Sequence, residues 1–467
     1  LYIMRDDVED AINLPTGEFE VPLVIQDRKF NPDGSYFYPP TWQDHFTGDK
    51  VMVNGKVWPF HDVKQGKYRL RLLNGSGTRT YTLSFQGPSG TIPFAVIGNE
   101  GGLLETTARG VSSLTFGPGE RYDVVVDFEP LGNGDEVFLE NSAPNPFPNG
   151  TVDLTTVMKF NVGPQSGDTD PIPNNLRTIE RLQEGDAVIS RDLVLKKTGL
   201  DACGRSYWRI NDKVWDDITE FPELGDVEIW RFINDSNVSH PMHMHLVFFQ
   251  VLDRDGFTRD AGDNIIPDGN PQAPPAEESG WKDTAMVDPG EILRVIVRFE
   301  DYKGLYAYHC HLLEHEDHEM MRQFQTFACG DVVTDAPIEE CDDGTAGLDG
   351  CNASCEIEEA FQLSGSAQGD GQVALTIEGE LIVVVTTNGQ SAADVIAALA
   401  AEINANANLQ AAGVSADADG DRLVTNGDIT DATITDSGLT DVLDLTVERE
   451  HLWWTTVGGA TDYDVVT

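Results

Sequence analysis

Seven of the ten histidines lie in two short stretches of the sequence. The first stretch is HPMHMH, with His240, His243 and His245, and the second is HCHLLEHEDHEMM, with His309, His311, His315 and His318. Imidazole and thiolate together suit copper, zinc or iron. The clustering therefore predicts that these two stretches bind metal ions.

The spacing around Cys310 divides the ligands between two faces of a strand. Successive side chains of a β-strand point to opposite faces, so His309 and His311 point one way and Cys310 the other. Such a strand can hold one metal ion on its thiolate face and others on its imidazole face, with only a few covalent bonds between them. This arrangement favours electron transfer between metal sites over a structural zinc site.

The segment after this strand completes a set of copper ligands. His315 and Met320 follow Cys310 by five and ten residues. Two histidines, one cysteine and a weakly bound axial methionine form the blue-copper site of electron-transfer proteins. We therefore predict a type-1 copper whose ligands are Cys310, His315, His240 and axial Met320. Met321 is an alternative axial ligand, but the spacing after His315 favours Met320.

The two metal motifs together resemble the copper motifs in the third domain of multicopper oxidases. The resemblance covers residues 1–328, where VPLVIQDRKFNPDGSYFYP, VMVNGKVWPF, GERYDVVVDF and GWKDTAMVDPGEILRV are similar to the spore-coat laccase and bilirubin-oxidase-like branch. It implies cupredoxin-like Greek-key β-sandwiches and copper of types 1, 2 and 3. It also implies that a small-molecule reductant gives electrons to the type-1 copper and that O2 is reduced to water at a trinuclear site.

The resemblance also assigns roles to individual residues. Electrons are expected to leave the type-1 site through Cys310. Glu316, the acidic residue after a type-1 histidine, is expected to lie near the oxygen site and to take part in proton delivery. The histidine roles that the resemblance implies are type-1 ligands His240 and His315, type-2 ligand His243, and type-3 ligands His245, His309 and His311.

The sequence departs from the family pattern in one respect. The trinuclear site of the family takes eight histidines from four His-x-His motifs, and only two such motifs occur in this chain. LYIMRDD at the start resembles the last strand of the family's first domain, so we expect that domain 1 is missing and that the chain is a fragment. The chain alone is then expected to bind a type-1 copper without reducing O2 to water.

The remaining histidines are predicted to take no part in metal binding. His45 and His61 are isolated in the sequence and cannot replace the absent motifs, and His451 is an ordinary histidine as well. His318 has no role in the family and is expected to face solvent.

The metal motifs lie among many short strands. Apolar segments such as KYRLRLLN and YDVVVDF recur every 8–12 residues or so, with Gly, Pro and Asn between them, which indicates β-sandwiches. The predicted fold class is mainly β, with two cupredoxin-like sandwiches, a small disulfide-rich segment and a small α+β module. The predicted boundaries are 1–19 for a remnant of domain 1 and linker, 20–165 for a copper-free cupredoxin-like domain 2, 166–186 for a linker, 187–328 for the copper-binding domain 3, 329–358 for a Cys-rich repeat, 360–443 for the α+β module and 450–467 for the start of a fibronectin III-like module.

Four clustered cysteines in a segment with little apolar content predict two disulfides with open pairing, and these are Cys329, Cys341, Cys351 and Cys355. A zinc site is the alternative, although the CxxC spacing of zinc knuckles is absent. The segment resembles a Cys-rich repeat of exported myxobacterial proteins. Because disulfides form in oxidising compartments, we expect an extracellular, periplasmic or cell-surface location. Cys203 has no partner and is expected to be a small buried residue.

The charge of the chain excludes several classes of function. The formal net charge of −48 provides no basic surface for nucleic acid and disfavours an anionic membrane surface. The sequence also lacks an apolar run of about 20 residues, so membrane insertion is not expected. After residue 328 the chain has 27 acidic residues and two arginines, which indicates a different kind of module there.

The leading hypothesis is a copper-dependent oxidoreductase of laccase type that uses phenolic, aromatic or similar reductants and O2. The alternative is a non-catalytic blue-copper electron-transfer protein or a cell-surface structural protein. Copper nitrite reductase also joins a type-1 site to nearby histidines, but the HPMHMH and HCH pair is oxidase-like.

Overall fold

A computed structural model gives the fold and describes residues 3, 5–260, 262–328, 359–369, 371–412, 414–419, 422–425 and 429–441. It contains two compact units, Leu1–Thr326 and Phe327–Thr467. The four clustered cysteines, the predicted Cys-rich repeat, His451 and the predicted fibronectin III-like segment lie outside the described residues.

The first β-sandwich follows helix α1 (Asp7–Ala11) and a short 3-10 turn (Gly17–Phe19). Its strands are β1 (Glu20–Arg28), β2 (Lys50–Val53), β3 (Lys56–Val57), β4 (Phe60–Gln65), β5 (Lys67–Asn74), β6 (Tyr81–Gly87), β7 (Gly90–Ile92), β8 (Phe94–Asn99), β9 (Gly102–Val111), β10 (Leu114–Phe116), β11 (Arg121–Asp127), β12 (Glu136–Asn141) and β13 (Thr156–Ser166). One sheet has the order β3-β2-β1-β5-β11-β8-β9, and the other has the order β10-β6-β12-β13-β4 with β7 beside β6. Because apolar side chains alternate along strands such as β12, the inner faces of the sheets meet in a buried core, where Phe160 packs against Phe128 and Phe85.

The second β-sandwich carries both histidine stretches. Its strands are β14 (Ala187–Thr198), β15 (Tyr207–Ile210), β16 (Val227–Asn234), β17 (His240–Met244), β18 (Phe249–Arg259), β19 (Ile265–Pro267), β20 (Thr284–Val287), β21 (Glu291–Arg298), β22 (Gly304–Cys310) and β23 (Met321–Thr326), with 3-10 turns at Glu184–Asp186 and Ala276–Glu278. The sheets have the orders β15-β14-β16-β21-β18-β19 and β20-β17-β22-β23. The short helix α2 (Leu313–Glu316) connects β22 to β23. The smaller sheet therefore places the two histidine stretches on neighbouring strands.

The C-terminal unit combines strands and helices. Its elements are β24 (Glu359–Gly365), β25 (Gln372–Ile377), β26 (Glu380–Val385), α3 (Ala392–Ala405), α4 (Ala407–Ala411), β27 (Ala416–Asp419), β28 (Arg422–Thr425), β29 (Ile429–Ile434) and β30 (Leu439–Asp441). The sheets have the orders β27-β28-β24-β30 and β26-β25-β29. Helix α3 begins with a capping box between Ser391 and Asp394, and it buries Val395, Leu399 and Ile403 on one face. In the described part of the chain, no helix has the length and apolar character needed to cross a membrane.

A buried ion cluster joins the two sandwiches. Lys282, which precedes β20, places its Nζ atom 2.7 Å from Glu100 Oε2 and 3.2 Å from Glu120 Oε1 of the first sandwich. All three side chains are almost fully buried. The cluster fixes the start of β20 against the first sandwich.

The strands listed above confirm the prediction of a mainly β fold.

Candidate metal centre

Strand pairing brings the two histidine stretches together. β17 runs antiparallel to β22, with Met242 opposite Cys310 and His243 opposite His309. Because directly paired residues share a face, Met242 and Cys310 both point into the core, and His243 and His309 both point to the other side. The structure therefore separates a thiolate face from an imidazole face, as the alternation in the sequence predicts.

Three side chains form the thiolate set. His240 Nδ1 lies 3.4 Å from Cys310 Sγ, His315 Nδ1 lies 3.8 Å from the same sulfur, and the two Nδ1 atoms are 3.2 Å apart. Donor atoms bound 2.0–2.3 Å from one tetrahedral ion stand roughly 3.3–3.6 Å from each other. The thiolate set therefore fits a single metal ion, and its chemistry suits copper.

Burial controls the protonation of the thiolate set. It lowers the pKa of His240 to about 3, with a smaller contribution from His45. Burial and the neighbouring His240 hold the pKa of His315 well below its usual range. Burial also raises the pKa of the Cys310 thiol. The imidazoles are therefore neutral and ready to bind a metal ion, whereas Cys310 must lose its proton to do so.

The backbone places Met320 at the thiolate set. Its N–H donates to the carbonyl of His315 and its carbonyl accepts from the N–H of Cys310, both at 3.0 Å. The Met320 side chain is fully buried in the same core cluster as Cys310. Met321 pairs directly with His309 and so lies on the imidazole face. Of the two methionines, only Met320 therefore lies on the same side as the thiolate set.

The imidazole set lies on the opposite face of the same strands. Donor atoms of His243, His245 and His309 lie within 4.8 Å of one another, and the Nε2 atoms of His245 and His309 are 3.2 Å apart. The ring of His311 lies beside them, 5.7 Å from His243 and 5.5 Å from His309 between centroids. Within the described residues, Nδ1 of His311 is buried without a hydrogen-bond partner. A buried polar atom usually has a partner, and a metal ion bound to Nδ1 of His311 would provide one.

The first sandwich supports the imidazole set at two places. Gly119 has a φ of +85°, and a Cβ atom there would lie 2.3 Å from Cδ2 of His311, so only glycine permits this contact. Arg121 forms two hydrogen bonds to the Asp283 carboxylate, at 2.7 and 2.6 Å. The carbonyl of Asp283 in turn lies 2.8 Å from Nδ1 of His243.

Asp283 fixes the orientation of His243. Burial works against a charge on Asp283, but hydrogen bonds from His243 and Arg121 outweigh it and hold the pKa of Asp283 well below its usual range. Because Asp283 occupies Nδ1 of His243, Nε2 remains available for a metal ion. The nearer acceptor is the Asp283 carbonyl, whereas the carboxylate lies 3.6 Å from Nδ1. A carbonyl or carboxylate behind a metal-binding histidine commonly sets the ring orientation in this way.

Glu316 lies beside the imidazole set. Its Oε2 atom is 3.4 Å from Nδ1 of His309, which also hydrogen-bonds to the Cys310 carbonyl at 3.0 Å. Burial and repulsion from Asp317 raise the pKa of Glu316 to about 7. Glu316 can therefore hold or release a proton near neutral pH.

Two expectations about single residues are wrong. His318 does not face solvent: it is 8% exposed, and its Nε2 lies 3.3 Å from the Asp201 carboxylate. Its ring packs between Trp42 and Tyr207, at centroid distances of 4.1 and 4.8 Å, and this aromatic packing accounts for the burial. Cys203 is exposed rather than buried, because it lies in a turn capped by Asp201.

Two further residues contact His315 and were missed by the sequence reasoning. His45 is not isolated in the fold, because its Nε2 lies 3.2 Å from Nε2 of His315. Trp208 stacks on the His315 ring at 4.0 Å with an interplanar angle of 26°. No local pattern marks either residue, since both approach His315 only through tertiary packing. His61 packs against Tyr68, away from the ligands named above.

Glu314 anchors helix α2 to the first sandwich and was also missed. Its Oε1 accepts a hydrogen bond from the Tyr38 hydroxyl at 3.1 Å, and its Oε2 accepts one from the Thr78 hydroxyl. The carbonyl of Glu314 accepts from the indole N–H of Trp42 at 2.8 Å. Burial and the charge of Glu314 raise the pKa of Tyr38 to about 12. These contacts set the position of the helix that carries His315.

The β-sandwich fold and the two ligand sets define a metalloprotein of the kind that binds copper. A family model described as multicopper oxidase matches residues 200–328. A laccase of Bacillus subtilis (strain 168) is 39% identical over 343 residues, which cover 69% of this chain and 65% of the relative. The multicopper oxidase LPR1 homolog 3 of Oryza sativa subsp. japonica is 33% identical over 383 residues, which cover 69% of this chain and 71% of the relative.

A solved structure of a multicopper oxidase is also similar to this chain. The 2F4 variant of the McoA multicopper oxidase from Aquifex aeolicus is similar with a TM-score of 0.60 and 32% identity, over 69% of this chain and 70% of that chain. The chain belongs to the multicopper oxidase family. The cupredoxin-like architecture is confirmed by this similarity, and copper is the metal that the family implies. The chain spans 65% and 66% of the length of the two Bacillus laccases that it matches.

Proposed function

We propose that this chain belongs to a copper-dependent oxidoreductase of laccase type, to which it contributes the type-1 site and part of the trinuclear site. Electrons from a phenolic, aromatic or similar small-molecule reductant enter at the thiolate set. They leave at the imidazole set, which contributes to a trinuclear site for the reduction of O2 to water. Copper bound at these sets would supply the one-electron redox chemistry. The observation that carries the proposal is that Cys310 and His309 join the two ligand sets by consecutive residues of one strand.

The proposed ligand roles follow the two faces of β17 and β22. They are His240, Cys310, His315 and axial Met320 for the type-1 copper, His243 for the type-2 copper, and His245, His309 and His311 for the type-3 copper. In this proposal Asp283 orients the imidazole of His243. Glu316 has a role in proton transfer. Glu316 lies beside His309 and has a pKa of about 7, which supports a role in proton delivery.

A second candidate is a non-catalytic blue-copper electron-transfer or cell-surface structural protein. The thiolate set is complete within this chain, whereas the chain has two of the four His-x-His motifs that the family uses for the trinuclear site. An extracellular, periplasmic or cell-surface location fits both candidates, and it is proposed on the clustered cysteines of the sequence.

Copper loading tests the proposal. We expect the chain with Cu(II) to show the intense blue absorption band of a thiolate–copper bond. The Cys310→Ser variant should lose the band, and Cys203→Ser, at the exposed cysteine, should retain it. Bound copper without this band would contradict the proposal. In a sample that shows the band, oxygen uptake with a phenol would favour the oxidase over the electron-transfer protein.

A further inference from the structure

His45 covers the outer edge of His315. It lies in the segment between β1 and β2 of the first sandwich, and the two Nε2 atoms are 3.2 Å apart. The rings meet edge to face, with centroids 4.9 Å apart and an interplanar angle of 75°. Because Nδ1 of His315 faces Cys310 and His240, the nitrogen that contacts His45 is the one on the far side of the ligand set.

The positions of the protons follow from this geometry. When Nδ1 of His315 binds a metal ion, the neutral ring carries its proton on Nε2. That N–H donates to Nε2 of His45, which therefore carries its own proton on Nδ1.

His45 is partly exposed, in contrast to His315. Within the described part of the chain, Nδ1 of His45 has no hydrogen-bond partner, and it is not one of the buried polar atoms that lack one. His315 itself is fully buried, and Trp208 covers one face of its ring. The Lys197 ammonium lies over Trp208 at 4.6 Å and pairs with Asp44, which closes this side of the site. A molecule that approaches His315 from solvent therefore meets His45 first.

We propose that His45 receives the electron donor of the type-1 site. An oxygen or nitrogen atom of the reductant accepts a hydrogen bond from Nδ1 of His45, and the electron passes through the His45–His315 hydrogen bond. With copper bound, the reductant would lose one electron, a phenol would also release its O–H proton to water, and the electron would reduce one Cu(II) of the type-1 site to Cu(I). This inference rests on the proposed function and names the residue that contacts its substrate.

The test is anaerobic reduction of the copper-loaded chain, and the rate of reduction is measured from the loss of the blue band. This measurement needs no oxygen reduction and therefore suits the chain as it is. Two reductants are compared: a phenol, which accepts hydrogen bonds, and a ferrocene, which does not. The variant His45→Phe keeps a ring but loses both nitrogens. The matched control is His61→Phe, because His61 lies in the same sandwich and packs against Tyr68 and Phe160.

For His45→Phe we expect the phenol concentration at half-maximal rate to rise roughly 3- to 10-fold, the loss expected for one hydrogen bond. The rate with ferrocene should not fall. The reduction potential of the type-1 site should rise, because an acceptor behind a metal-binding imidazole strengthens it as a ligand. His45→Gln retains a hydrogen-bonding side chain and should keep most of the affinity for phenol. His61→Phe should match the unmodified chain.

Two results would overturn the inference. One is unchanged reduction by both reductants in His45→Phe. The other is an equal loss with phenol and ferrocene, since that would mean that His45 only maintains the shape of the site. Failure of the unmodified chain to form the blue band would instead overturn the proposed function, and this inference with it.

Discussion

Replacement of Lys282 by methionine tests how the two sandwiches are held together. The Lys282 ammonium is fully buried, 2.7 Å from Glu100 and 3.2 Å from Glu120. Methionine keeps most of the apolar stem and removes the charge. Removing one partner of a buried ion pair leaves an uncompensated charge, which costs about 3–5 kcal/mol. We therefore expect the free energy of unfolding to fall by about this amount at pH 8.

The size of this loss should depend on pH. Burial raises the pKa of Glu120 from its ordinary value of 4.5 to about 7, although Lys282 opposes the shift. The folded protein then holds a proton that the unfolded chain releases, so the stability contributed by this group is full below pH 4.5 and is lost as the pH rises to 7. Without Lys282 the pKa of this carboxyl is higher still. Lys282→Met should consequently lose less stability at pH 5 than at pH 8.

Urea unfolding at pH 5 and pH 8, followed by tryptophan fluorescence, measures both effects. The control is Glu120→Gln, which keeps the shape of the side chain and removes its charge. This control should cost less than Lys282→Met at pH 8, and it should reduce the dependence of stability on pH between 5 and 7. A loss in Lys282→Met that is equal at both pH values, or below about 1 kcal/mol, would refute the view that an unpaired buried carboxylate sets the cost.

Three further predictions concern the thiolate set and its helix. Met320→Leu should keep the blue band and raise the reduction potential, measured by redox titration, because the weak axial ligand is lost. Cu(II) at 100 times its dissociation constant should stabilise the folded chain by about 2.7 kcal/mol in thermal unfolding, and Cys310→Ser should remove most of this gain. Glu314→Gln should cost about 1 kcal/mol in urea unfolding, and Glu314→Leu should cost more because the Tyr38 and Thr78 hydroxyls lose their acceptor.

The separation of the two ligand faces could be predicted from the sequence because it depends only on local geometry. In His309-Cys310-His311 the alternation of a strand is enough to place the thiol and the imidazoles on opposite faces. The sandwich fold could be predicted for the same reason, since the alternation of apolar and polar residues that marks each strand is a local property of the sequence. The position of Met320 near Cys310 also depends on nearby residues of the chain, because its backbone hydrogen-bonds to His315 and to Cys310. Its role as a ligand stays a prediction.

The contacts behind the ligands could not be predicted, because they join residues far apart in the chain. His45 and His315 are separated by 270 residues, and Tyr38 and Glu314 by 276. Such contacts depend on how one sandwich packs on the other, which no local pattern records. His318 lies in the charged sequence HEDHE, which indicates exposure, but aromatic packing around it outweighs that local signal.

The first sandwich supplies none of the predicted ligands, yet it sets the direction of two of them. Helix α2 is four residues long and has no side-chain cap, so its own hydrogen bonds cannot fix the position of His315. The contacts of Glu314 with the first sandwich hold the helix in place, and Arg121 reaches through Asp283 to His243. A second sandwich isolated from the first would keep the ligand sequence and lose these contacts. Correct geometry at the metal centre is therefore a property of the pair of sandwiches.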